Sequence, residues 1–214
     1  MARAFRRKGD RYVAKFDEME RGVVAGLMEQ TREIVAPPNA GEPREDTGDA
    51  FEDMVAGLGV SVAADDQVAE TAWGHGEAGD PADRDPALDR LLPTAHRGDE
   101  KVAAEFRRLT EHDLRDRKAT NLARAIGALR GATGDRLELT REQAEAVLVA
   151  LTDTRLVLGE RLDLKTDEDA LALDDRVAAL DPDDPAVYAA SFYDFLTWMQ
   201  ESLTTAMLGR GLFR

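Results

Sequence analysis

The stretch RLLPTAHRGDEKVAAEFRRLTEHDLRDRK, residues 90–118, decides how the chain is read. It is far more charged than an ordinary core helix, yet it keeps apolar residues at helical spacing. Pro93 closes one short helix, and a long helix is predicted from about Asp99 to Arg130. At about 100° per residue, Val102, Phe106, Leu109 and Thr120 share one face. Leu114, Leu122, Ile126 and Leu129 lie on nearly the opposite face. Such a helix either crosses the centre of a domain or breaks midway. A central helix that meets different neighbours along its two halves is the expectation.

Before this stretch, Asp85-Pro86 opens the short helix, with Pro86 at a first helical position and Leu88, Leu91 and Leu92 on its apolar side. Further back, Asp17 with Glu20 forms a capping box. The helix it starts carries Val23, Val24, Leu27, Thr31 and Ile34 inward and ends at Pro37-Pro38. The first 16 residues read as a β-hairpin. Phe5 precedes Lys8-Gly9-Asp10, and Tyr12, Ala14 and Phe16 alternate after it. A lone hairpin is marginal in water, and Leu137-Glu138-Leu139 is the candidate third strand.

After the long helix, Gly131 and Gly134 punctuate, and Thr140 with Gln143 caps another helix. Its inward face is Ala144, Val147, Leu148, Leu151, Leu158 and Leu162. A last helix follows Asp184-Pro185. Tyr188, Phe192, Phe195, Met199 and Leu203 line one side, which makes it the predicted centre of the core. The predicted fold class is mainly α. One domain spans 1–214, with about five helices, a small N-terminal β-hairpin and a third short strand.

A flexible acidic insert is expected at about 37–84, rich in Gly, Pro, Asp, Glu and Ala. Phe51, Met54, Val55 and Leu58 would allow one short docked helix within it; the alternative is disorder throughout. Residues 41–100 hold 16 acids against 4 bases, which accounts for most of the net charge of −15. That charge opposes non-specific nucleic-acid binding. Two basic stretches persist, at the N-terminus and in the long helix. Cysteine is absent, so disulfides, zinc–thiolate sites and thiol catalysis are excluded. No apolar run approaches the ~18–20 residues of a membrane span, and the basic N-terminus has no apolar signal region after it. A cytoplasmic protein is the expectation.

Arg155 is the sharpest local anomaly, because it falls among Leu148 and Leu151 on an apolar face. A structural role explains it if its head pairs with a carboxylate, Asp113 or Glu111. The functional alternative is an anchor for an anionic ligand. Arg107, Arg108 and Arg115 are interleaved with acids, and Glu111–Arg115 has i,i+4 spacing. A solvated, salt-bridged helix accounts for them; a phosphate strip or a protein-docking surface are the alternatives. Arg3, Arg6, Arg7, Lys8 and Arg11 form the second basic surface. Edge strands use such charges against aggregation, and a polyanion contact is the competing reading. His75, His96 and His112 match no metal spacing, no calcium-loop or nucleotide motif appears, and no nucleophile–base pattern stands out. No cofactor and no enzymatic activity are expected.

FRRKGDRYVAKFD (5–17), DPALDRLLPTAHRGDEKVAAEFRRLTEHDLRDRK (85–118), LTREQAEAVLVALTDTRLVLGERL (139–162) and FLTWMQESL (195–203) together carry one resemblance. The chain resembles an actinobacterial family of domain-of-unknown-function proteins often encoded next to the ClpS adaptor. The resemblance supplies no site residues. It implies a neighbourhood of Clp-dependent proteolysis and a protein partner, ClpS or the Clp unfoldase. The leading functional expectation is therefore a non-enzymatic regulatory or protein-interaction protein. The alternatives are a DNA-binding transcriptional regulator using both basic stretches and a small-molecule-binding helical domain anchored at Arg155. Leu208, Leu212 and Phe213 need cover, which self-association as a homo-oligomer would give.

Overall fold

The computed structural model describes residues 2–36, 85–93 and 100–209, with backbone alone for 100–109. The expected insert, with Phe51, Met54, Val55 and Leu58, lies outside the described residues. So do His75, His96, Leu212, Phe213 and the side chains of Val102, Phe106, Leu109, Arg107 and Arg108. The element order is β1 (Arg3–Lys8), β2 (Arg11–Lys15), α1 (Glu18–Val35), α2 (Pro86–Leu91), α3 (Glu100–Arg130), β3 (Arg136–Leu139), α4 (Arg141–Arg161), α5 (Asp167–Leu171), α6 (Leu173–Ala178) and α7 (Pro185–Leu208). The mainly helical class is as predicted, with the hairpin and its third strand in place.

Residue contacts divide the chain into two compact units. The first comprises Met1–Glu33, Lys118–Arg155 and Asp194–Arg214; the second comprises Ile34–Arg117 and Leu156–Tyr193. The long helix α3 thus changes unit between Arg117 and Lys118.

In the first unit, the three strands form an antiparallel sheet in the order β1-β2-β3. The two-residue turn Gly9-Asp10 joins β1 to β2. Gly9 sits at φ +64 and Asp10 has no positive φ, the pattern of a type II′ hairpin turn with glycine at its first position. A bulge between Arg3 and Arg6 adds a residue to β1. Beyond the ladder, Phe16 N donates to Asp135 O at 2.8 Å. Phe5, Tyr12, Ala14, Leu137 and Leu139 are buried, while the intervening positions face outward.

The capping boxes form as their spacing dictates. Asp17 N donates to Glu20 Oε2 at 2.9 Å, and Glu20 N donates to Asp17 Oδ1 at 2.8 Å. Thr140 N donates to Gln143 Oε1 at 2.9 Å, and Gln143 N donates to Thr140 Oγ1 at 3.1 Å. Each box satisfies backbone N–H groups that no helical carbonyl can reach. Val24, Met28, Leu122, Leu129, Val147, Leu151, Leu196, Met199 and Leu203 are buried in this unit. Phe16 touches Phe5, Phe195 and Trp198, with ring centroids 5.6, 6.1 and 6.1 Å away.

Two expected faces are turned. Tyr188 is 48% exposed, and the buried stripe of α7 runs through Ala186, Ala189, Ala190, Leu196, Met199, Leu203 and Ala206. Alanines occupy the inward positions at its start, against Leu162, Leu164 and Leu173. Thr120 is exposed, since the second half of α3 buries Leu122, Ala125, Ile126 and Leu129 instead.

In the second unit, α2 is fixed by its ends. Asp85 caps it, accepting from Ala87 N at 2.9 Å through Oδ1 and from Arg161 Nη2 at 2.6 Å through Oδ2. Arg90 donates to Glu160 Oε2 at 2.7 Å and to Leu164 O at 2.8 Å. Leu162, Leu164, Leu173, Ala186, Ala189 and Ala190 make a small core, with Val177, Leu180 and Tyr193 against it. The short helices α5 and α6 were not expected. Thr166 caps α5 in a reciprocal box with Asp169, and Thr-x-x-Asp is the signal that would have revealed it. The Asp169 carboxyl lies below its usual range because the Thr166 backbone N–H, the Thr166 hydroxyl and the Lys165 N–H all favour its charged form.

Candidate functional site

Alternation along three strands sends one set of residues into the core and the other to solvent. On the outer face, the register places Arg3 opposite Lys15 and Lys15 opposite Arg136. Lys8 stands opposite Arg11, and Arg6 opposite Val13, which faces Glu138. Three of these cross-strand pairs join like charges, an arrangement that opposes strand pairing. Arg3, Ala4, Arg6, Lys8, Val13, Ala14, Lys15, Thr133, Asp135 and Arg136 line a depression of about 510 Å³.

Two carboxylates offset part of this charge. Lys15 Nζ lies 2.9 Å from Asp135 Oδ2, and Arg136 pairs with Glu138. The hydrogen bond and the charge of Lys15 hold the Asp135 carboxyl below its usual range. Arg11 approaches Asp10 at 3.9 Å. Arg7 donates from Nε to Gly9 O at 3.1 Å and helps close the turn. Among the described residues, Arg3, Arg6 and Lys8 form no ion pair. Arg3, Arg6, Lys8 and Arg11 of the predicted cluster therefore share the outer face, whereas Arg7 stands opposite the inward Tyr12. Lys15 and Arg136 join that face only through the strand register.

The other predicted residues are placed as follows. Arg155 is half-buried in α4 and donates from Nη1 to Gln200 Oε1 at 2.9 Å. Gln200 Nε2 donates in turn to Thr152 Oγ1 at 2.9 Å. Arg155 belongs to the first unit, Glu111 and Asp113 to the second. The i,i+4 pair forms, with Arg115 Nη2 at 2.9 Å from Glu111 Oε1. Arg115 Nη1 also donates to Val35 O at 3.5 Å and Ala36 O at 3.4 Å, where α1 leaves carbonyls without helical partners. Asp113 is exposed, and His112 Nε2 lies 3.5 Å from Asp116 Oδ2.

Two buried charges stand outside the residues singled out from the sequence. Arg21 is 7% exposed and donates from Nη1 to Phe16 O at 2.7 Å and Gly134 O at 2.6 Å, and from Nη2 to Ala132 O at 3.3 Å. It pins the β2–α1 corner to the α3–β3 loop. Asp153 is 2% exposed, with Lys118 Nζ at 2.6 Å from Oδ1. Burial raises the Asp153 carboxyl above its usual range, against the opposing pull of Lys118, and Oδ2 is buried without a hydrogen-bond partner. At i+3, i+4 and i+7, Arg21 has Val24, Ala25 and Met28, and Asp153 has Val149, Ala150, Leu156 and Val157 three or four positions away, so helical spacing does place both among apolar neighbours.

Among the described residues, no group of three or more His, Asp or Glu could hold a metal ion. No described helix is long and apolar enough to cross a membrane. Comparison with curated proteins and with solved structures gives no match. The family model described as "Domain of unknown function (DUF2017)" matches residues 2–207, nearly the whole chain, and the chain belongs to that family.

Proposed function

We propose that this chain is a non-enzymatic regulatory or interaction protein of the cytoplasm, accessory to Clp-dependent proteolysis, and that it docks a protein partner on the outer face of its sheet. The observation that carries the docking role is the like-charge register Arg3–Lys15–Arg136, an exposed cationic ladder in a chain of net charge −15. An anionic partner relieves repulsion that the isolated sheet retains. Protection of an edge strand explains cations on β1, but not Lys15 on the central strand. The resemblance to an actinobacterial family encoded next to ClpS supports the Clp assignment.

The test is affinity capture from a native lysate at low and moderate salt, with mass spectrometry and nucleic-acid detection on one eluate. Salt-sensitive recovery of Clp components, lost on Arg3→Glu with Arg6→Glu, is the expected result. Recovery of DNA without Clp components would replace this reading by the DNA-binding regulator.

A further inference from the structure

We infer that the basic sheet face binds a short, extended, carboxylate-rich protein segment laid along β1. This deepens the proposed docking role and rests on it.

Arg6 and Lys8 are alternate residues of one strand and project on the same side, about 6.6–6.8 Å apart. Alternate side chains of an extended peptide repeat at that same distance. A segment running beside β1 with an acid at every second position presents its carboxylates in step with these two cations. Beyond the bulge, Arg3 extends the row and opens it towards Lys15 and Arg136. Val13, on the outer face, gives the depression a small apolar floor.

The face already binds carboxylates. Asp135 holds Lys15 and Glu138 holds Arg136, both from the chain itself. Arg3, Arg6 and Lys8, the outward cations of β1, have no such partner among the described residues. They are also exposed, so their charges are available without unfolding any contact.

A nucleic acid fits less well. Phe5, Tyr12 and Phe16 all turn into the core, which leaves the outer face without a ring for base stacking. A long polyanion also meets the field of the whole chain, net −15. A short acidic segment feels chiefly the local cations, because charges beyond about 10 Å are screened at moderate salt.

The test uses the full chain and a fluorescent peptide of about ten residues alternating Glu and Ser, read by anisotropy. Controls are the same peptide with Gln for Glu and a single-stranded DNA of about ten nucleotides. Saturable, salt-sensitive binding of the acidic peptide is expected, with none of the Gln peptide. Joint Arg3→Glu, Arg6→Glu and Lys8→Glu substitution should weaken it about tenfold or more. Reversal at Arg124, an exposed cation of α3, should leave it within about twofold. Unchanged helical circular dichroism in each variant ensures that a loss reflects the face and not the fold. Tighter binding of the oligonucleotide, or equal peptide binding by the triple variant, overturns the inference. If the lysate partner is still captured while the peptide does not bind, the segment chemistry is wrong and the docking role stands. If neither is captured, both fall.

Discussion

Arg21 and Lys118 each carry a positive charge into the first unit, and they are satisfied by different chemistry. Arg21 spreads its charge over three backbone carbonyls, from Phe16, Ala132 and Gly134, none of them ionised. Its planar fork reaches several acceptors at once, so one residue ties two chain corners together. Lys118 instead meets one buried carboxylate, and half of that carboxylate has no partner. The first arrangement fixes geometry with dipoles and needs no counter-charge. The second needs a second charge removed from water, at a desolvation cost that one contact only partly offsets. An arginine among carbonyls is thus a specific tie, whereas the lysine–aspartate pair is a site whose loss matters mainly through what is left behind.

The largest effect should come from Lys118→Met. It leaves Asp153 buried without its cation and should cost about 3 kcal/mol, read from the urea unfolding midpoint. A variant as stable as the parent would show that Asp153 is already neutral in the folded chain. Arg21→Met should follow at about 2–3 kcal/mol, because three carbonyls lose a charged donor. Arg21→Lys should recover all but about 1 kcal/mol of that, since an ammonium can still donate but cannot span the acceptors as a fork. If lysine is no better than methionine, the planar geometry rather than the charge is what the corner requires.

Replacing both members of the other pair, Lys118→Met with Asp153→Leu, should leave stability within about 1 kcal/mol of the parent or raise it. A loss as large as that of Lys118→Met alone would mean the pair contributes net attraction. The smallest effect is on pH dependence. The folded Asp153 carboxyl lies above its ordinary value, with burial as the main cause. The folded state therefore holds this proton more tightly than the unfolded one. The stability it contributes is fully present below about pH 3.9 and is lost as pH rises through the higher folded value. Unfolding midpoints of the parent and Asp153→Asn, followed from about pH 3 to 6, should diverge in that sense, the parent losing ground as pH rises. Asp135 and Asp169 act in the opposite direction, and the difference between the two proteins removes their contribution. A divergence of opposite sign would mean that Lys118 outweighs burial at Asp153.

Local chemistry was legible wherever few residues settle it. Gly9 marks a hairpin turn because its backbone takes φ +64 without strain. The boxes at Asp17 and Thr140 start helices because their side chains reach N–H groups three residues on. Thr166-x-x-Asp169 obeys the same rule. On α7 the expected face holds at Met199 and Leu203 but not at Tyr188, where ring size suggests burial and Ala186, Ala189 and Ala190 are the buried residues.

The sequence by itself determined the mainly helical class, the hairpin with its third strand, the helix starts and the Glu111–Arg115 pair. The elements and that pair depend on residues within a few positions of one another, or on a two-residue alternation, whereas the pairing of the third strand with the hairpin does not. Only the tertiary structure decided that Lys15 and Arg136 join Arg3, Arg6 and Lys8 on one face, because strand register depends on residues more than a hundred positions apart. It alone brought Arg21 to the 132–134 loop and Lys118 to Asp153. Helical spacing can place a charge on an apolar face, but which distant groups close around it and satisfy it is decided by the tertiary structure.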